Sequence, residues 1–163
     1  EGEDFALAAT GDSCPLPGGG AVALAGTPRF EDDSLHAMAN EAGTAAAVAR
    51  GYAEYGDSIF RLLRGGFACC IVDREADRLL AAVDRMGQHA FYYLGLPGGG
   101  VAFGTEAGAA MACAGRQAKI EPQGVYNYIY FHMVPSPGTA FAGLEKLPAG
   151  HLWTVTLTPY AVN

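Results

Sequence analysis

From Gly66 to Asp73 the chain reads GFACCIVD, with no charged side chain until its last residue. A strand with one wet face alternates apolar and polar residues. A strand apolar on both sides is covered on both sides. Side chains alternate along a strand, so Phe67, Cys69 and Ile71 should face a helix layer and Ala68, Cys70 and Val72 an opposing sheet, or the reverse. The READ segment (74–77) is a turn signal, and RLLAAVDR (78–85) is the returning arm of a hairpin. HAFYYLG (89–95) and VAFG (101–104) form a second hairpin pattern around LPGGG (96–100). AVALAG (21–26) reads as a short buried strand and HLWTVTLT (151–158) as a final one.

Between the strands the apolar spacing lengthens to three and four. In EDDSLHAMANEA (31–42), Asp33 or Ser34 can cap a helix that carries Leu35, Met38 and Ala42 on one face. TAAAVARGYAEYG (44–56) is a second helix with Thr44 as N-cap and Val48 and Tyr52 inward. Gly56-Asp57 then restarts the chain into SIFRLLRG (58–65). EAGAAMACAG (106–115) is another helical stretch. Pro122 suits the first turn of a helix over QGVYNYIYFHMV (123–134). In that helix Val125, Tyr128, Ile129 and His132 share a face, the expected core face. Tyr126, Tyr130 and Phe131 point elsewhere, either as a contact surface for a partner or as a cap on the domain's own core. Residues 11–20 (GDSCPLPGGG) read as a turn or mobile loop, and 135–150 as a loop. The pattern alone gives an α+β class with two or more layers.

Composition narrows the function classes. The chain has 163 residues, half of them hydrophobic, enough for one domain with a real core. A net charge of −7 argues against nucleic acid and anionic membrane as partners. No run of 18 apolar residues marks a membrane span. The start, EGEDFALAAT, has no basic leader and no Met, so a trimmed or partial chain is expected, with cytoplasmic residence. Cys14, Cys69, Cys70 and Cys113 make no CxxC. Cys69 and Cys70 fall on opposite strand faces and cannot share a metal, so all four read as thiols of a reducing compartment. His36, His89, His132 and His151 show no ligand spacing, and no metal is expected. LPGGG is followed by no Lys-Ser/Thr, so it is a hairpin turn rather than a phosphate loop.

Three blocks carry a resemblance. The first holds Leu63, Gly65, Phe67 and Ala68, then Val83, Asp84 and Gly87, then Ala90, Phe91, Tyr92 and Tyr93. The second holds Phe103, Thr105 and Glu106. The third holds Pro135, Pro137, Thr139, Phe141, Gly143, Leu147, Pro148, Gly150 and His151. Over roughly 100 residues this resembles the amino-terminal glutaminase domain of glutamine-dependent asparagine synthetases, class II amidotransferases with the N-terminal-nucleophile (Ntn) hydrolase fold. The resemblance implies a four-layer αββα sandwich of two antiparallel sheets flanked by helices. It places a domain at 21–158, after a mobile or truncated segment at 1–20, and a linker at 159–163 toward a synthetase domain. It also implies that Asp84-Arg85 supports the fold rather than acting as an acid–base pair.

The same resemblance implies that the glutaminase chemistry is missing. The family uses an N-terminal Cys as nucleophile with its own α-amine as base. Glu1 stands first here, and the nitrogen of Cys14 is an amide. The family's Asn-Gly-Glu motif falls on Ala25, Gly26 and Thr27, so a methyl replaces an oxyanion donor worth about 3–4 kcal/mol. The Ser-Asp pair that grips the glutamine ammonium falls near Thr44, which is uncharged. No catalytic residue is therefore assigned. The pyrophosphate loop of the synthetase domain is absent from these residues, so ATP and Mg belong only to that other domain. The implied role is a silent module of an asparagine-synthetase-like ligase, akin to β-lactam synthetases and lasso-peptide cyclases. Its partner would be a synthetase domain in cis or a second copy, and its substrate a peptide or small amino-acid-like molecule. The alternative is an active glutaminase domain that lacks its N-terminal part.

Overall fold

A computed structural model describes residues 11–97 and 99–157. Residues 1–10 of the expected N-terminal segment (1–20), and the expected linker at 159–163, lie outside them. The chain is α+β, with antiparallel sheets and flanking helices. The largest sheet runs β1 (Asp12–Pro15), β2 (Ala21–Gly26), β5 (Phe67–Asp73), β6 (Arg78–Val83), β10 (Leu152–Thr156), in that order and antiparallel throughout. A smaller sheet has the order β8 (Val101–Gly104), β7 (Tyr92–Gly95), β9 (Glu145–Lys146). β3 (Arg29–Phe30) and β4 (Leu63–Arg64) form a short separate pair.

The alternation in GFACCIVD divides as expected. Phe67, Cys69 and Ile71 pack with Leu35, Val48, Tyr52 and Ile59 from α1 (Asp33–Ala42), α2 (Thr44–Tyr55) and α3 (Ile59–Leu62). Ala68, Cys70 and Val72 pack instead with Phe91, just before β7, and with Tyr93, Val101 and Phe103 of the smaller sheet. That sheet turns Leu94 and Ala102 the other way, onto Ala110 and Met111 of α4 (Ala107–Cys113). Across the sheet contact Tyr93 stacks on Trp153 of β10 with centroids 4.2 Å apart, and within the smaller layer Phe91 stacks on Phe103 at 5.5 Å. Burial pushes the thiol of Cys69 well up and that of Cys70 up to about 12, so both are neutral core side chains.

Several local expectations are corrected. Residues 12–15 form a strand, where their Gly and Pro content predicts a turn or loop; pairing with β2 outweighs local propensity. The N-cap of α1 is Asp32, whose carboxylate accepts from Leu35 N–H at 2.9 Å, so neither Asp33 nor Ser34 caps it. Thr44 is not the cap of α2. Gly43 holds the cap position, and a distant carboxylate, Asp12 Oδ2, accepts from Ala45 N–H at 2.8 Å. Within the 135–150 loop, Glu145 and Lys146 pair with β7, and Tyr93 donates to Glu145 at 2.6 Å.

The largest departure is α5 (Pro122–Phe131). Its expected core face, Val125 and Ile129, is exposed, as are Tyr126, Tyr128, Tyr130 and Phe131; only Gly124 is buried. A Cβ at Gly124 would overlap the Thr139 carbonyl, so the helix backbone lies directly on the 139–140 loop backbone. Sequence periodicity identifies an apolar face but not whether the chain itself covers it.

Phe67 is buried in the largest cluster. Phe67→Ala should lower the unfolding free energy by about 3–5 kcal/mol in urea titration, and a loss under about 1 kcal/mol would contradict the central position of β5.

Candidate functional site

The best-ordered polar feature is a carboxylate. Asp84 follows β6 and is 2% exposed. Its Oδ2 accepts from the N–H groups of Phe67 (3.2 Å), Gln88 (2.9 Å) and His89 (3.2 Å), and its Oδ1 from Met86 (2.9 Å). Its backbone joins the same knot: Asp84 N–H donates to the Phe67 carbonyl, and Gly87 and Gly150 N–H donate to the Asp84 carbonyl. Burial alone would raise this carboxyl, but the hydrogen bonds from Gln88, His89, Met86 and Phe67 outweigh it and hold the group below its ordinary range. A carboxylate saturated by backbone donors is a scaffold part and not a proton shuttle.

The 85–89 loop that Asp84 shapes carries His89 onto Gly26. A Cβ at Gly26 would press on the His89 ring and overlap the Gly66 carbonyl, and φ there is +94°. Only glycine fits this end of β2. Gly26 pairs with Phe67 and Ala25 with Ala68, which places both beside the Asp84 knot. Thr27 follows, exposed. Thr44 begins α2, whose N-terminus meets Asp12; Asp12 pairs with Leu24, the neighbour of Ala25. Register thus gathers Ala25, Gly26 and Thr44 toward one end of the larger sheet, and adds Asp12, which the sequence pattern missed. No local signal singles out an acid in a Gly- and Pro-rich stretch; only the fold pairs it with a helix 33 residues away.

Cys14 lies opposite Val22 on β1, and its nitrogen is a chain amide. Tyr126, Tyr130 and Phe131 stand on α5, a separate exposed surface. An open cavity of about 560 Å³ lies between α3 and the exit of β6, against the Asp84 knot. It is lined by Phe60 and Arg61, by Val83, Asp84, Met86 and Gln88, by His151 and by other residues, and it includes none of Ala25, Gly26, Thr27 or Thr44. Among the described residues, no three His, Cys, Asp or Glu side chains converge to hold a metal, and no helix is long and apolar enough to cross a membrane.

A family model for the glutamine amidotransferase domain matches residues 34–160. The chain belongs to that family. The match covers the Asp84 knot, both hairpins and the 135–151 segment, in which the sequence blocks were found, together with α5. No curated protein matches the chain.

The Asp84 knot has a pH signature. Because the folded pKa is depressed, its stabilisation is present above the unfolded carboxyl value, about 3.9, and is lost as pH falls through the lower folded value. Asp84→Asn should lower neutral-pH stability by about 2–4 kcal/mol and flatten the loss below about pH 4, read by denaturant titration across pH. Unchanged stability at neutral pH would show that the knot is not needed.

Proposed function

We propose that this domain is an amidotransferase scaffold that has lost glutaminase chemistry, a module of an asparagine-synthetase-like, ATP-dependent amide-forming ligase. The observation that carries the reading is Ala25. It stands in β2 beside Gly26, at the position where the resembling family places an oxyanion-stabilising Asn. A methyl donates no hydrogen bond, and the loss of one such donor costs about 3–4 kcal/mol of transition-state stabilisation. Two further losses accompany it: Thr27 stands where the family's motif has Glu, and Thr44, near the family's ammonium-gripping Ser-Asp pair, carries no charge. Whatever precedes residue 1, these three positions lie within the chain.

The scaffold reading draws support from the buried clusters. Helices α1–α3 lie on the larger sheet, that sheet on the smaller one, and the smaller one on α4, the order of an Ntn-type αββα sandwich. In such a ligase the amine is already on the acceptor, a peptide or an amino-acid-like molecule. ATP and Mg are handled by a synthetase domain in cis, in the cytoplasm, and the silent domain serves for docking.

A competing reading, a working glutaminase whose nucleophile lies before residue 1, has one observation in its favour. The Asp12 carboxylate stands at the N-terminus of α2 next to Thr44, a charge that this reading would use to hold an ammonium. That carboxylate is already engaged by Ala45 N–H. Glutamate release from glutamine separates the two. The scaffold reading expects none above a heat-inactivated control, in this chain and in any longer form that carries it. Turnover that Asp12→Ala abolishes would establish the glutaminase instead.

A further inference from the structure

We infer that the cavity between α3 and the exit of β6 binds a small apolar carboxylic acid, its carboxylate held by Arg61 and Arg85 and its body by the apolar lining. The site uses none of Ala25, Gly26, Thr27 or Thr44, so it goes beyond the scaffold reading and stands whether or not glutamine is hydrolysed. At about 560 Å³ the cavity has the size that takes a small organic ligand. Its frame is set in advance. On one side the Asp84 carboxylate fixes Phe67, Met86 and Gln88 by their backbone N–H groups. On the other, Arg64 Nη1 donates to the Arg61 and Leu63 carbonyls at 2.7 and 2.9 Å, while its Nη2 pairs with Glu31 at 2.6 Å. A frame already in place loses little entropy when a ligand enters.

Charge selects an anion. The chain carries −7, yet three of its ten Lys and Arg side chains, Arg61, Arg64 and Arg85, line this one cavity. The other ionised groups there are already engaged. Arg64 is held by Glu31, Asp57 by Arg78 at 2.8 Å, and both oxygens of Asp84 by backbone N–H groups. Among the described residues, the guanidinium groups of Arg61 and Arg85 have no ion pair and no hydrogen-bond partner, and both residues are exposed. Two unengaged guanidinium groups thus stand against one spent carboxylate, a balance that a single carboxylate on a ligand offsets. A doubly charged phosphate overshoots it, against the repulsion of a −7 chain. The apolar body follows from what stands beside the charges. Leu63, Phe67 and Val83 are buried in the lining. Outside the 120–133 stretch the described residues expose three large apolar side chains, Tyr55, Met86 and Leu152, and the last two both line this cavity. Apolar surface beside free guanidinium groups fits an apolar acid better than a bare ion.

Backbone amide shifts of the ¹⁵N-labelled chain, followed during titration with 3-phenylpropanoate, test this. At low salt the expected result is saturable shifts centred on Gly65, Met86 and Gly150, with a Kd of about 1 mM or tighter, the range open to a ligand of about ten non-hydrogen atoms. Raising the salt to about 200 mM should weaken binding several-fold, because the arginines are exposed. The neutral 3-phenylpropanamide and inorganic phosphate should each bind at least about tenfold more weakly. Arg61→Gln combined with Arg85→Gln changes exposed residues, so the pair should leave the unfolding midpoint in place and weaken 3-phenylpropanoate about tenfold or more. Arg50→Gln, at an exposed arginine outside the cavity, should leave binding as it is. No saturable binding of 3-phenylpropanoate, equal binding of the amide, tighter binding of phosphate, binding that survives the double variant, or an equal loss in Arg50→Gln would overturn the assignment.

Discussion

The structure depends on the ionised carboxyl of Asp84. Four backbone N–H groups from β5 and the 86–89 loop converge on its two oxygens. The bond from Phe67 N–H is buried, where an orphan donor would cost about 1–3 kcal/mol, and the other three are part-buried. The same residue's carbonyl receives Gly150 N–H, just before β10 starts. One residue, through its side chain and its carbonyl, therefore ties the entry of β5, the exit of β6, the loop carrying His89 and the lead into the last strand. The 85–89 loop in turn sets how closely His89 approaches Gly26. The candidate site inherits its shape from this knot.

Much of the fold was legible because the strand signals are strong and local. GFACCIVD is apolar on both faces because helices cover one and a second sheet the other, and the register pairs Ala68 with Val83 and Asp73 with Arg78 as a tight hairpin around READ. The helix at 44–55 was legible from Val48 and Tyr52. The features that failed are long-range. Asp12–Pro15 is a strand only because β2 offers it a ladder, and Asp12 caps a helix 33 residues away. No window of sequence contains both partners.

The candidate site was legible in a different way. Position-by-position resemblance pointed to Ala25, Gly26, Thr27 and Thr44, and the register brings three of them to one end of one sheet. The cavity between α3 and the exit of β6 left no trace in the sequence, because Arg61, Arg85 and His151 are scattered and share no spacing. Helix α5 shows the limit of periodicity most plainly. Its Val125/Ile129 stripe has the spacing of a core face, yet the contact that seats the helix is the missing side chain of Gly124 on Thr139. Thr139 is itself held, accepting from Phe141 N–H at 3.0 Å with its hydroxyl 2.9 Å from the Leu144 carbonyl. A glycine seat turns the apolar side chains outward, and amphipathic reasoning cannot see that.

Loss of the nucleophilic site on an intact scaffold is the central claim, and covalent labelling tests it most directly. Intact mass is measured after incubation with the glutamine-analogue electrophile diazo-oxo-norleucine. A methyl at Ala25 and an uncharged Thr44 leave nothing to position the analogue against a thiol, and Cys69 and Cys70 are buried and neutral. The account predicts no adduct that excess glutamine prevents. A stoichiometric adduct on one cysteine, blocked by glutamine, would contradict it.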